Sequence, residues 1–140
     1  MLILYTTQAT ALGGRSGSAA SAVKRLRVEL STPQALGGDN GPGTNPEQLF
    51  AAGYAGSLLS SIRTVAKLEK IAISHDSNVT AAIGIGPIGT GGGLALAVSL
   101  SIDLPGLDFA TAKQVVERAD DVCPYSNALR GNVKVKFQIN

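Results

Sequence analysis

At 140 residues, with a formal net charge of +2 and 44% hydrophobic residues, the chain suits one domain, 1–140, with a core of ordinary size. So small a positive balance, with 4% aromatic residues and no Trp, argues against a nucleic-acid partner, which needs clustered basic charge or a base-stacking surface. A single Cys123 forms no internal disulfide and fits a reducing compartment.

Residues 2–11 alternate loosely and read as a first strand. The opening Met1-Leu2-Ile3-Leu4 has no basic lead-in to suggest a signal peptide. With no apolar run long enough for a membrane span, a cytoplasmic protein is expected. Gly13-Gly14 makes a turn, and Arg15 leads into a small-residue second strand ending near Ala22. Residues 24–31 alternate well enough for a third strand, and Pro33 to Gly43 is a glycine-rich loop.

The chain then reaches its best-marked helix. Asn45 suits the N-cap, Pro46 the first helical position, and Glu47 sets a negative charge against the positive end of the helix dipole. A capping box from Thr44 to Glu47 is an alternative start one residue earlier. No charge follows until Arg63, which predicts a helix buried on most sides and running to about Leu68. Gly53, Gly56 and Ser60 lie on one stripe, beside Ala52 and Ser57, and would let another backbone come close.

A strand near 72–84 and a glycine-rich turn at 86–93 come next. Leu94, Leu96, Val98, Leu100, Ile102 and Leu104 then alternate strictly with small or polar residues, the mark of a strand with one buried face. Asp108 is a plausible N-cap for a helix over about 109–122, stopped by Pro124, and 132–139 reads as a last strand. The order β-β-β-α-β-β-α-β implies an α+β fold with mostly antiparallel sheets against the long helix. Gly84-Ile85-Gly86-Pro87-Ile88-Gly89 spells a dinucleotide fingerprint, but a strand follows it, so it reads as a hairpin turn. His75, the one histidine, reads as a surface residue. With a single Cys far from it, no metal site and no bound cofactor are expected.

Read as residues alone, Cys123 falls at a helix C-terminus, where the dipole disfavours a thiolate. Ser57 reads as a helix-face residue bonding back to a carbonyl. Arg15 reads as a solvated turn residue and Glu47 as a helix-start acid.

Several stretches carry a resemblance that changes these readings. Thr44-Asn45-Pro46-Glu47-Gln48-Leu49-Phe50-Ala51-Ala52-Gly53-Tyr54 resembles the central-helix signature of the organic hydroperoxide resistance proteins, the Ohr branch of the OsmC/Ohr family. Val122-Cys123-Pro124-Tyr125-Ser126-Asn127-Ala128-Leu129-Arg130-Gly131-Asn132 is similar to the segment around that family's second cysteine. Residues 10–15 and 30–38 agree as well.

The resemblance implies intertwined homodimers with sites at the subunit interface. It also implies a thiol-dependent peroxidase acting on organic and lipid-derived hydroperoxides. Cys123 would be the resolving cysteine, condensing with a sulfenic acid on the attacking one. Arg15 would neighbour the attacking sulfur and pair with Glu47. Phe50, Leu58 and Leu59 would suit an alkyl tail, and a dithiol, with lipoylated protein expected, would be the reductant. One position departs from the family. The third residue after the signature tyrosine is the attacking cysteine there, and here it is Ser57. A serine hydroxyl cannot follow sulfur chemistry. This chain is therefore expected to be inactive, with Ser57 either engineered in or a natural variant. A non-catalytic module binding a hydrophobic ligand is the alternative.

Overall fold

A computed structural model describes residues 1–140, which divide into two compact units, Met1–Leu49 and Phe50–Asn140. In the first unit, β1 (Ala9–Leu12), β2 (Ser18–Ser21) and β3 (Arg27–Glu29) form an antiparallel meander in sequence order. The first strand is shorter than its alternation suggested: the Ala22 amide still reaches the Gln8 carbonyl at 2.9 Å, but residues 2–7 find no partner strand within the chain. Between β1 and β2, Gly13 and Gly14 take left-handed backbone angles, with φ of 71° and 60°. A single 3₁₀ turn, Gly14–Ser16, follows and carries Arg15.

The helix α1 runs from Pro46 to Leu68. Its start is the Asn45 alternative: the Gln48 amide donates to Asn45 Oδ1 at 2.8 Å, and the Thr44 hydroxyl bonds to the Gln48 side chain instead. At its end, Lys70 turns left-handed with φ of 58°, and the Ile71 amide reaches back to the Ala66 carbonyl at 2.8 Å. That pattern closes the orphan carbonyls of the last turn. The helix is not buried on most sides of the single chain. Tyr54, Leu58, Ser61, Ile62, Val65 and Ala66 face inward, while Ala52, Gly56 and Ser60 are exposed.

In the second unit, β4 (Asn78–Pro87) and β5 (Leu94–Asp103) form an antiparallel hairpin, and β6 (Val135–Ile139) adds to β5 in parallel. The fingerprint-like glycines belong to this hairpin: Gly84 and Gly86 lie within β4 and Gly89 in its turn. A parallel neighbour requires a crossover. It is supplied by α2 (Phe109–Val122) and α3 (Pro124–Leu129). Asp108 caps α2 as expected, accepting from the Thr111 amide at 3.0 Å.

The alternation of β5 becomes a buried face from Val98 onward, where β6 pairs alongside; Leu94 stays exposed. Val98, Leu100, Ile102 and Leu104 pack with the inward residues of α1 and with Ala112, Val115, Val116, Ala119 and Cys123 into one core. Each large side chain enclosed there is worth about 1.5–3 kcal/mol of transfer free energy.

Candidate functional site

Arg15 and Glu47, separated by 32 positions, meet in the first unit. The guanidinium donates through Nη1 to Oε2 at 2.8 Å and through Nη2 to Oε1 at 2.6 Å, a two-point fork that fixes the plane of both groups. Arg15 is therefore not a free surface cation. Its hydrogen bonds hold the Glu47 carboxyl below the usual glutamate value against the opposing effect of burial, and Glu47 in turn raises Arg15.

Ser57 and Cys123 meet in the second unit. Ser57 Oγ lies 3.6 Å from Cys123 Sγ, across 66 positions of sequence. The expected return bond from Ser57 to a helix carbonyl is not formed. Its neighbours make such bonds instead, Ser61 to the Ser57 carbonyl at 3.1 Å and Thr64 to that of Ser60 at 2.9 Å. Cys123 is fully buried.

Its electrostatic setting reverses the sequence expectation. Cys123 does close α2, but it is also the residue from which α3 starts, with Pro124 in that helix's first turn. Burial pushes the thiol up. The Ser126 amide, the Ser57 and Ser126 hydroxyls and the Tyr125 amide together outweigh burial, so the thiol sits below its ordinary value. The dipole argument failed because a second helix begins where the first ends.

An apolar cleft of about 270 Å³ opens beside this pair of elements, lined by Phe50, Pro124, Tyr125, Ala128 and Leu129. Phe50, Tyr54 and Tyr125 form an aromatic cluster: Tyr54 and Tyr125 stack with centroids 5.8 Å apart, and Phe50 meets Tyr54 edge-on at 6.2 Å. Gly53 makes room for Tyr125, since a Cβ there would lie 2.9 Å from the tyrosine hydroxyl. Of the residues expected to receive an alkyl tail, Phe50 lines the cleft and Leu59 is half-buried. Leu58 points into the core and offers no surface. Tyr125 and Leu129 were missed. The only hint in sequence was the aromatic pair Phe50 and Tyr54 at helical spacing.

A buried thiol against a helix-borne hydroxyl, beside an apolar cleft and without a cluster of metal-ligating side chains, defines a thiol-centred site on an α+β scaffold. Residues 37–138 match the family described as OsmC-like protein. An organic hydroperoxide resistance protein of Xanthomonas axonopodis pv. citri is 48% identical over 137 residues, covering 98% of this chain and 95% of that one. The organic hydroperoxide resistance protein OhrB of Bacillus subtilis is 38% identical over 138 residues, covering 99% of each. A crystal structure of an organic hydroperoxide resistance protein from Legionella pneumophila superposes with a TM-score of 0.93 at 43% identity, covering 99% of both chains. The chain belongs to the OsmC/Ohr family, on its organic hydroperoxide resistance branch.

Proposed function

We propose that this scaffold is a thiol-dependent peroxidase for organic hydroperoxides, and that this chain holds it in a form arrested at position 57. The observation that carries the reading is the 3.6 Å contact between Ser57 Oγ and Cys123 Sγ. With cysteine at 57, a thiolate there attacks the terminal peroxide oxygen. The O–O bond breaks, the distal OH stays on sulfur as the sulfenic acid, and the alkoxide takes one proton from solvent and leaves as the alcohol. Cys123 then forms the S–S bond as the sulfenic S–O bond breaks and water departs. A dithiol, a lipoylated protein in our reading, restores both thiols by exchange.

Arg15, oriented by its fork on Glu47, is the residue to which the resemblance gives the fixed positive charge that favours thiolate and eases charge developing on the peroxide oxygens. The apolar cleft at Phe50, Tyr125 and Leu129 suits an alkyl tail better than hydrogen peroxide. The enzyme works as a cytoplasmic homodimer.

Turnover of an alkyl hydroperoxide with dithiothreitol or a lipoylated protein tests this. Ser57→Cys should turn over and the Ser57 chain should not. Robust activity with Ser57 in place would sink the arrest. If neither form reacts, the same cleft favours the second reading, a non-catalytic module for a hydrophobic ligand.

A further inference from the structure

The chain around Cys123 lacks a backbone donor. In α2 the Asp120 carbonyl would accept from the amide one helical turn on, but that residue is Pro124, which has no N–H. Proline also disfavours helical angles in the residue before it, and Cys123 is extended, with φ of −70° and ψ of 122°. Cys123 is therefore an elbow. Its amide closes α2 on the Ala119 carbonyl at 2.9 Å, and its carbonyl opens α3 by accepting from the Asn127 amide at 2.9 Å.

Arg130 supplies what Pro124 lacks. Its Nη2 donates to the Asp120 carbonyl at 3.0 Å and to Asp120 Oδ2 at 2.9 Å, while Nη1 donates to Asn127 Oδ1. One planar guanidinium thus joins the last turn of α2 to α3, on either side of Cys123. The base of Arg130 is held in turn, since its amide donates to the Ser126 carbonyl at 2.9 Å. A 2.8 Å hydrogen bond between the Tyr54 hydroxyl and Ser126 Oγ ties α3 to α1, the helix that carries Ser57. The Arg130 and Asp120 side chains are 48% and 28% exposed, so their charges are screened and the ion pair adds little stability. What the guanidinium fixes is the angle between two helices, at the residue whose sulfur meets position 57.

We propose that Arg130 is a positioning residue: it stands in for the absent Pro124 amide on the Asp120 carbonyl and so holds the elbow that aims the Cys123 sulfur at position 57. The proposal rests on the reading of Cys123 as the resolving thiol.

Oxidised glutathione tests this without peroxide. In the Ser57→Cys protein the two thiols form one S–S bond, and the glutathione disulfide takes up their two electrons and two protons and leaves as two thiols. The equilibrium constant reads how well the two sulfurs are placed. Arg130→Ala should lower it about tenfold, a rise of about 30 mV in reduction potential, while melting close to its parent. Arg130→Lys, which keeps a donor for the carbonyl, should recover part of that loss. Asp120→Asn, which keeps the carbonyl and removes the charge, should stay near the parent. An unchanged constant in folded Arg130→Ala overturns the proposal, as does a full loss in Arg130→Lys or in Asp120→Asn. Should Arg130→Ala not fold, the other two variants decide by the same criteria. If the constants move as expected while Ser57→Cys consumes no peroxide, the role of Arg130 in aligning the two sulfurs stands and the peroxidase reading falls.

Discussion

Arg15 and Glu47 show how two ordinary surface residue types become a fixed unit. Their side chains are 36% and 14% exposed, so water screens the pair, and its net worth is on the order of 1 kcal/mol or less. What the fork adds is direction, since two parallel bonds allow one orientation of the guanidinium. The hydrogen bonds from Arg15 hold the Glu47 carboxyl below the ordinary value of 4.5. A lowered carboxyl contributes stability that is fully present above the unfolded value and lost as pH falls through the folded one. Glu47→Gln should therefore cost about 0.5–1 kcal/mol at neutral pH. The difference should shrink as pH falls below 4.5 and vanish once the native carboxyl is protonated. Urea titrations at neutral and acid pH measure this; a gap that widens on acidification would contradict the pairing. The functional counterpart is Arg15→Ala in the Ser57→Cys protein, which should lose peroxide turnover while melting close to its parent. Near-normal turnover would remove Arg15 from the chemistry.

At the scale of the element, α1 sets a local preference against a tertiary fit. Glycine inside a helix costs roughly 0.8–1 kcal/mol relative to alanine, yet Gly53 sits mid-helix under the Tyr125 hydroxyl. An added methyl would meet that oxygen at 2.9 Å and the ring at 3.4 Å. Gly53→Ala alone should therefore gain little or lose stability, because Tyr125 must leave its stack on Tyr54. Combined with Tyr125→Phe, which removes the hydroxyl, the same alanine should recover about 0.5–1 kcal/mol. A double-mutant cycle by thermal melting reads this coupling; simple additivity would refute the contact.

The same contrast explains what could be read from sequence. The caps at Asn45 and Asp108 and the alternation of Leu94 to Leu104 are local signals, and they placed α1, the start of α2, and β5. Cys123 was misjudged from its residues because Pro124 can end one helix or open another. Its six-residue helix is too short to show a period. The approach of Ser57 to Cys123 spans 66 positions and leaves no local trace. Only the resemblance brought those two residues together before the fold did.

For the molecule as a whole, what the single chain leaves uncovered is as informative as its core. Met1 to Tyr5 and Leu12 in the first unit expose large apolar side chains, as does Leu68 at the end of α1. The outer face of α1 carries Ala52, Gly56 and Ser60, all exposed, with nothing within 4 Å of a Cβ at Gly56. Exposed apolar side chains suit contact with a partner surface, and so small a helix face admits close approach of another backbone. No helix in the structure is long and apolar enough to cross a membrane, so a bilayer-spanning helix is not what covers them. The occupant we propose is a second copy of this chain, as the resemblance implies. Light scattering after gel filtration should then give twice the mass of one chain at micromolar concentration. Gly56→Arg, which places a long cation on the small-residue face, should shift the population toward the single chain. In the Ser57→Cys background it should lower peroxide turnover in step, because the sites are taken to need both subunits. A monomer at high concentration would refute the dimer. A dimer that tolerates Gly56→Arg would move the interface off this face of α1.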